Sequence, residues 1–408
     1  MTISRREMVA GLAAAGFSSG WRLEAEPPAQ KLLDYFAANA RQLLRPAGGI
    51  LKYPSISSSL PAKQYSSDLW DWDTYWTALV CFGLRVYRID AGLHGEVVDH
   101  ARGSLLNFLD HQSDEGRIPI LISLNNPDFF ESVKKDRAIH TNQAKLVMAQ
   151  LALLVWGDDV AIGDDNDPTT FGRPFFSSAN LLLNSLYYQD LMAAAELARR
   201  LKLGPDSDRI QATADTLRAR IQEHCWDTRD RFFYSQDVQV VDRRTELIPT
   251  VPPGMATAWK SLPLRIQMFT GFLPMWCGVA TKAQALDLVR LHYRNDATFR
   301  SASGVRSLSK QETMHSLDFS SNPSNWLGPT WIIVNYFVWR GLRDYGFKIE
   351  AAELAAKTVR RLSADLAANG SLNEYYHPDT GKPLSHQGFM DWNLLVLEMV
   401  DFHGPLEL

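Results

Sequence analysis

Three cysteines in 408 residues, Cys81, Cys225 and Cys277, are too few and too widely spaced for a disulfide framework. No Cys-x-x-Cys pair or Cys/His cluster offers a structural zinc site, and the sequence calls for no metal or cofactor. Basic charge is not in excess: 42 lysines and arginines against 46 aspartates and glutamates leave a net charge of −4. That balance disfavours a nucleic-acid binder. No apolar run approaches the ~20 residues that a membrane span needs. Strand signal is thin, no internal repeat is visible, and no shift in composition marks a domain boundary. What is present is ordinary globular composition, 46% hydrophobic and 22% charged, which excludes disorder, collagen and low-complexity fibre. Tryptophan is the outlier, with twelve residues. Indoles are usually core, but they are also the surfaces on which sugar faces stack.

Residues 1–26 read as an address rather than as part of the fold. Ser4, Arg5 and Arg6 make a twin-arginine start, Met8 to Phe17 is modestly apolar, and Leu23-Glu24-Ala25 resembles a small-residue cleavage site. The expectation is a twin-arginine signal and a periplasmic or secreted protein that folds before export. Few cysteines fit folding in a reducing compartment.

From residue 27 to 408 a single, mainly helical domain is expected. Apolar residues recur at helical spacing around Leu32 to Leu44, and over Thr74–Tyr87, Leu93–Leu109, Ala138–Trp156, Ser177–Leu201, Ser207–Cys225, Leu262–Met275, Lys282–His292, Pro329–Tyr345, Ile349–Ala368 and Asp391–Phe402. Ser177 or Ser178 is a suitable N-cap, Pro329 is placed near a first helical turn, and Gly370 stops the long helix before it. Phe232 to Tyr234 and Val238 to Val241 are expected to make a short hairpin. Arg243 to Gly254 reads as a loop. So many helices in one domain need a closed, repetitive architecture to bury their apolar faces, and helical hairpins stacked into a ring would provide it. The polar, serine-rich segment Ser301 to Asn325 is long for a structureless loop, and its length and polarity raise the expectation of a hinged loop that closes over substrate.

Four segments carry chemistry. Trp70-Asp71-Trp72-Asp73-Thr74-Tyr75-Trp76 opens a helix, with carboxylates that accept hydrogen bonds from hydroxyls and indoles that stack on rings. Asp71 or Asp73 is equally suited to cap that helix, but alternating Trp and Asp is odd for a core, because buried carboxylates need partners. Gly163-Asp164-Asp165-Asn166-Asp167-Pro168, running on to Arg173, crowds three aspartates. A calcium loop would need a glutamate further on, which is missing. Mutual repulsion would raise one of the three pKa values, as a general acid requires; a solvated turn is the plain alternative. Asn322 to Trp331 places Gly328 and Pro329 between Trp326 and Trp331, in a tight turn. Asn373-Glu374-Tyr375-Tyr376-His377-Pro378-Asp379-Thr380-Gly381 leaves a helix for a turn, and sets Glu374, a candidate general base, beside two tyrosines.

Together these segments resemble the motif set of the glycoside hydrolase family 63-like enzymes, the group that includes mannosylglycerate and glucosylglycerate hydrolases, and more distantly that of trehalase. Trp72 to Trp76 is similar to their Trp-Asp-Ser/Thr-aromatic signature. Residues 163–168 are similar to Gly-x-Asp-Asn-Ser-Pro, with Asp167 in place of serine. Trp326-x-Gly328-Pro329-x-Trp331 matches Trp-x-Gly-Pro-x-Trp, and Glu374 to Gly381 resembles Glu-Asn/His-Tyr-x-Pro-x-Thr-Gly. The resemblance runs from about Tyr65 to Trp392. The Gln-Trp-Asp-Tyr-Pro-Asn-Gly-Trp run of trehalase is absent. The resemblance implies an (α/α)6 barrel and hydrolysis of an α-glycosidic bond with inversion, Asp165 acting as general acid and Glu374 as general base. It implies that Asp73 holds the sugar of the cleaved unit and that Trp72, Trp326 and Trp331 wall the cleft. Trp70, Tyr75, Trp76, Asn166, Arg173, Gly328, Tyr375, Tyr376 and Trp392 complete the expected substrate-binding set. Asp167 adds charge near the acid, and either raises the pKa of Asp165 or shifts the role to a neighbour such as Asp164.

The expected partner is a small carbohydrate, with neither nucleic acid nor membrane. An acid protonates the leaving oxygen while a base activates water from the opposite face, and inverting enzymes hold the two carboxyls ~6.5–9.5 Å apart. Rival classes fit less well. A toroidal polysaccharide lyase would use a tyrosine with a histidine, types supplied by Tyr375, Tyr376, His377 and His140, but its acidic substrates call for basic residues and the motif segments hold only Arg173. A sugar epimerase would rely on a histidine pair, and none stands out. A non-catalytic sugar-binding protein would keep the tryptophans without needing Asp165 and Glu374.

Overall fold

The computed structural model describes residues 27–82, 91–112, 118–125, 169, 177–238, 261–318 and 324–400. The twin-arginine start, the Ala138–Trp156 helix, His140, the aspartate-rich motif with Asp164, Asp165, Asn166, Asp167 and Arg173, and the Arg243 to Gly254 loop lie outside the described residues.

The described chain is mostly helical, and its long helices pair in succession. Helix Leu181–Arg200 starts at Asn180, not at Ser177 or Ser178: the Asn180 side chain accepts from the Leu183 amide at 3.0 Å, while Ser178 sits in a two-residue strand. Arg199 and Arg200 in its last turn suit the negative end of the helix dipole. Small buried residues, Ala193, Ala194, Ala195 and Ala198, let the next helix, Gly204–Arg220, approach closely, and the Ser207 hydroxyl donates to the Ala195 carbonyl at 2.9 Å. A second hairpin joins Ile332–Asp344 to Lys348–Asn369. Ile332–Asp344 is buried on nearly every side, so it is an interior element. Lys348–Asn369 ends as expected at Gly370, whose φ of 65° suits a residue without Cβ. The first helix, Pro27–Asn39, packs on Lys348–Asn369. The helical succession is thereby brought back on itself, with the Tyr35 hydroxyl 3.5 Å from that of Ser371.

Four expectations give way. Leu262 to Met275 is not one helix: Leu262–Pro263 is a strand on Gln236–Asp237, and only Phe269–Trp276 is helical. Pro329 lies outside the following helix because Thr330–Trp331 is a strand that must pair before helix Ile332–Asp344 begins. Phe232–Phe233 pairs with Trp226–Asp227 rather than with a following strand. The C-terminal stretch is a 3-10 turn, Asp391–Leu395, followed by the short helix Val396–Met399.

The serine-rich segment departs furthest from expectation. Residues 303–309 are buried, which is incompatible with a hinged lid over that stretch. Its polarity satisfies backbone groups inside the protein. Ser307 N–H donates to the Pro329 carbonyl at 3.0 Å, and Ser309 N–H to that of Gln267 at 2.9 Å. The Ser307 hydroxyl accepts from Gly328 N–H at 3.0 Å. Asn335, on the interior helix, accepts from Val305 N–H and donates to the Ser303 carbonyl and the Thr358 hydroxyl. Gly304 lies against it at φ 130°, where a Cβ would come within 2.3 Å of Asn335 Oδ1.

Gly304→Ala therefore forces Asn335 off its three partners. It should lower stability by roughly 1–3 kcal/mol from overpacking alone, read as the denaturant midpoint. Ala302→Ser, two positions away at an exposed residue, should leave the midpoint in place. Equal midpoints for the two variants would refute this account of the segment.

Candidate active site

A small three-stranded sheet assembles two of the four motifs. Thr330–Trp331 pairs antiparallel with Tyr375–Tyr376, and Tyr375–Tyr376 pairs with Pro383–Ser385, with a register irregularity at Tyr375/Tyr376. Such an irregularity re-aims a neighbouring side chain, and here the neighbour is Glu374. Its N–H donates to the Ser385 carbonyl at 3.0 Å, and its carbonyl accepts from Trp392 Nε1 at 3.2 Å. Behind it, the wholly buried Asp365 accepts from Asn373 N–H, the Asn373 amide and the Tyr376 hydroxyl. Glu374 is thus clamped through its backbone on both sides. The Glu374 residue is only 3% exposed, and its carboxylate meets the Nδ1 of His386.

The Trp-x-Gly-Pro-x-Trp spacing has a local cause. The turn folds back so that the rings of Trp326 and Trp331 stack at 3.9 Å and 4°. Trp331 stacks in turn on Tyr375 at 4.4 Å, and Trp326 on Phe269 at 5.5 Å. Gly328, at φ 146°, is required because a Cβ there would lie 2.6 Å from His315 Nε2. Trp331 Nε1 donates to the Asn325 carbonyl at 2.9 Å, which ties the turn shut.

The first motif arrives from the other side. Strand Asp68–Trp70 pairs with Leu121–Ser123 and runs directly into helix Asp71–Phe82. Thr74 closes the first turn by donating to the Trp70 carbonyl at 2.7 Å, and Asp71 and Asp73 lie at the positive end of the dipole. Thr77, one turn on, donates to Asp391 Oδ1 at 3.1 Å. Trp72 packs against Trp326 at 6.3 Å and Trp392 at 5.9 Å. Three motifs therefore converge, and with them a carboxyl cluster of Asp73, Asp391 and Glu374. The Asp391 carboxyl is fully buried. Burial pushes its pKa well above the ordinary carboxylate value, and the charges of Asp73 and Glu374 push in the same direction. Its Oδ2 meets no donor, so burial and the neighbouring charges together favour the protonated form of Asp391.

The expected site residues divide. Glu374, Asp73, Trp72, Trp326, Tyr375 and Trp392 are brought together, and Trp70 lies half-buried beside Tyr65, ring centroids 6.0 Å apart. Trp76, Trp331 and Tyr376 have no exposed surface, so a sugar cannot stack on them. Trp76 packs among Tyr75, Trp276, Tyr336 and Phe337, Trp331 supports Trp326 from behind, and Tyr376 serves Asp365. Tyr75 is buried too, and burial raises its hydroxyl. Gly328 shapes the turn. Of the second motif region only Thr169 is described, pinned by Ser178, whose hydroxyl donates to its carbonyl at 3.1 Å. Asp391, His386, Thr77 and Asp365 are additions that the motif spelling does not announce. Asp391 has a faint signal, another aspartate beside a tryptophan; His386 has none. Among the described residues no group of three His, Cys, Asp or Glu side chains could hold a metal ion.

Residues 111–391 match the family model described as the mannosylglycerate hydrolase MGH1-like glycoside hydrolase domain. The chain belongs to that family. Mannosylglycerate hydrolase MGH1 of Selaginella moellendorffii is 36% identical over 114 residues, 27% of this chain and 20% of that protein. A mannosylglycerate hydrolase of Thermus thermophilus is 30% identical over 131 residues, 31% of this chain and 28% of that one. The matched segments thus span less than a third of these relatives. The crystal structure of a GH63 mannosylglycerate hydrolase from Thermus thermophilus in complex with glucose covers 91% of this chain and 99% of its own, with a TM-score of 0.58 at 17% identity. Neutral trehalase Nth1 from Saccharomyces cerevisiae covers 86% of this chain and 74% of its own, with a TM-score of 0.54 at 16% identity. At such identities the likeness is one of fold.

The raised pKa of Asp391 in this glycoside hydrolase domain gives a signed pH prediction. A carboxyl whose folded pKa is raised contributes stability that is present below its unfolded value, 3.8, and lost as pH rises through the folded pKa. Asp391→Asn removes that loss. The stability of the variant relative to the parent should increase as pH is raised from below the ordinary carboxylate value toward neutrality, by at most about 1.4 kcal/mol per pH unit. Denaturation curves at a series of pH values measure it, and a pH-independent difference would show that Asp391 is ionised in the fold.

Proposed function

We propose that this chain is an inverting α-glycoside hydrolase with an (α/α)6 barrel, acting on a small α-glucoside or α-mannoside, with glycosylglycerates foremost. Glu374 is the general base, and Asp165 the general acid. The observation that carries the reading is the convergence of three motif segments, distant in sequence, on one buried glutamate whose backbone carbonyl accepts from Trp392, itself packed in a cluster with Trp72 and Trp326. A base that activates water needs to be held rigidly and shielded from bulk solvent, and the clamped, 3% exposed Glu374 meets both needs. Asp73 would accept from hydroxyls of the sugar in the cleaved unit. The role of Asp165, and those of Asn166 and Arg173 on the leaving-group side, rest on the motif resemblance. The substrate class follows the names of the relatives, several of which are mannosylglycerate hydrolases.

Among the described residues the lyase alternative loses its base. Tyr376 is buried and hydrogen-bonded to Asp365, and burial pushes Tyr375 up to about 12, so neither is poised to take a proton from substrate. His377 Nδ1 is occupied in accepting from the amides of Asp379 and Thr380. Export through a twin-arginine signal in residues 1–26, with a periplasmic or secreted destination, is part of the same proposal.

Proton NMR of the protein with α-linked disaccharides, mannosylglycerate and glucosylglycerate, followed from the first minutes, tests the mechanism. The β-anomer should appear first. Asp165→Asn and Glu374→Gln should each reduce the initial rate by about 10²–10⁴-fold. Release of the α-anomer first would overturn inversion.

A further inference from the structure

The geometry points to His386 as the residue that positions the carboxylate of Glu374, donating from Nδ1 and held to that task by a strained backbone. The inference rests on Glu374 being the general base. His386 follows directly on the strand Pro383–Ser385 that pairs with Tyr375–Tyr376, so the pairing that clamps Glu374 also delivers the imidazole to it. His386 Nδ1 contacts Glu374 Oε2, lies 2.8 Å from the Ser385 hydroxyl and 3.3 Å from the Tyr65 hydroxyl. An ionised carboxylate offers only acceptors, so Nδ1 must carry the hydrogen. That tautomer is imposed by the site.

Two further features show that the arrangement is built. His386 has φ 48° and Tyr65 has φ 67°, and both are non-glycine residues in the left-handed region. Such conformations persist only where surrounding contacts over-determine them, and they cluster at functional sites. The two strained residues face each other: their rings meet edge to face at 5.1 Å. The loops that carry them are stitched together, with Leu60 N–H donating to the Gly388 carbonyl at 3.1 Å and the amides of Met390 and Asp391 donating to the Ser58 carbonyl at 3.1 Å. An imidazole that merely filled space would need neither a left-handed backbone nor the carboxylate as its neighbour.

Donation to the ionised form lowers the pKa of a carboxyl. Removing the donor should therefore raise the pKa of Glu374, and move the acid limb of kcat/KM, below which the base is protonated, to higher pH. The titratable groups around the pair are Tyr65 on the facing loop, Tyr375 on the adjoining strand, Asp391 on the 3-10 turn and Asp73 on helix Asp71–Phe82.

His386→Gly and His386→Asn separate the donor from the strain. Glycine suits the left-handed backbone but has no donor. Asparagine tolerates the same backbone, and its amide nitrogen reaches the place of Nδ1. His386→Gly should keep or raise the melting temperature while losing about 10²-fold in kcat, with the acid limb displaced to higher pH. His386→Asn should restore both kcat and the limb. An activity-free readout runs beside these: besides the rings of His100 and His111, whose Nδ1 meets backbone carbonyls, nitrogen-15 NMR of histidine-labelled protein should contain a further Nδ1–H ring that is absent from His386→Gly and perturbed in Glu374→Gln. Wild-type kcat and pH limb in His386→Gly, or an Nε2–H ring at His386, would overturn the inference. If Glu374→Gln itself keeps full activity, it is the general-base reading that fails, and the two failures are told apart.

Discussion

Glu374, Asp391, Asp73 and Asp365 are carboxyl groups sunk among tryptophans and tyrosines, and each has to be answered by a donor, a cation or a proton. Leaving one unanswered would cost several kcal/mol, as much as the net stability of many domains. Each is met differently. Asp365 collects two amides and a phenol, Asp391 takes a threonine hydroxyl and has its protonated form favoured by burial, and Glu374 has the His386 imidazole. The strand pairings and the bridged loops of the C-terminal third bring these groups together. An apolar core of the same shape would be easier to build, so buried carboxyls in this number mark a candidate site.

The aromatic residues form layers with different tasks. Trp72 packs against Trp326 and Trp392, and Trp392 donates to the Glu374 carbonyl, while Trp331, Tyr376 and Trp76 have no exposed surface at all. The stack Phe269, Trp326, Trp331 and Tyr375 runs from the buried serine-rich side to the strand carrying Tyr375. Because Tyr375 is next to Glu374, the stack ends beside that carboxylate. Rigidity of this kind is a requirement, since a displacement of about 1 Å can cost ~10²-fold in rate. The serine-rich segment belongs to the same frame: its hydroxyls and amides brace the turn of Gly328 and Pro329 from below.

The helical hairpins and the Gly370 stop are legible from periodicity, and the meeting of three motif segments from the family resemblance that their spelling carries. Other features are not, for identifiable reasons. Thr330–Trp331 is hidden inside a helical apolar pattern because a two-residue strand leaves no period to read, and its partner lies more than forty positions away. Residues 303–309 read as a mobile loop because composition cannot tell a serine that faces water from one that satisfies a buried carbonyl. Trp76 and Trp331 look like ligand surfaces because an indole in a motif carries no mark of which face it turns to the core. His386 is invisible, since a lone histidine in a turn acquires meaning only from the left-handed backbone that aims it.

Protonation states then follow from position. Asp73, Asp391 and Glu374 resist being ionised together in an interior of low polarity. Asp391, which has no exposed surface and feels the charges of both neighbours, has its protonated form favoured. A protonated Asp391 relieves Glu374 of one repulsive charge. The pattern sets apart two carboxyls that sequence spelling treats alike: a buried acid whose proton is favoured, and a carboxylate clamped through its backbone. Environment, rather than residue type, divides such roles in glycosidases generally. In this chain the division is written by one threonine, Thr77, one histidine, His386, and the turn that sets Asp391 behind Trp392.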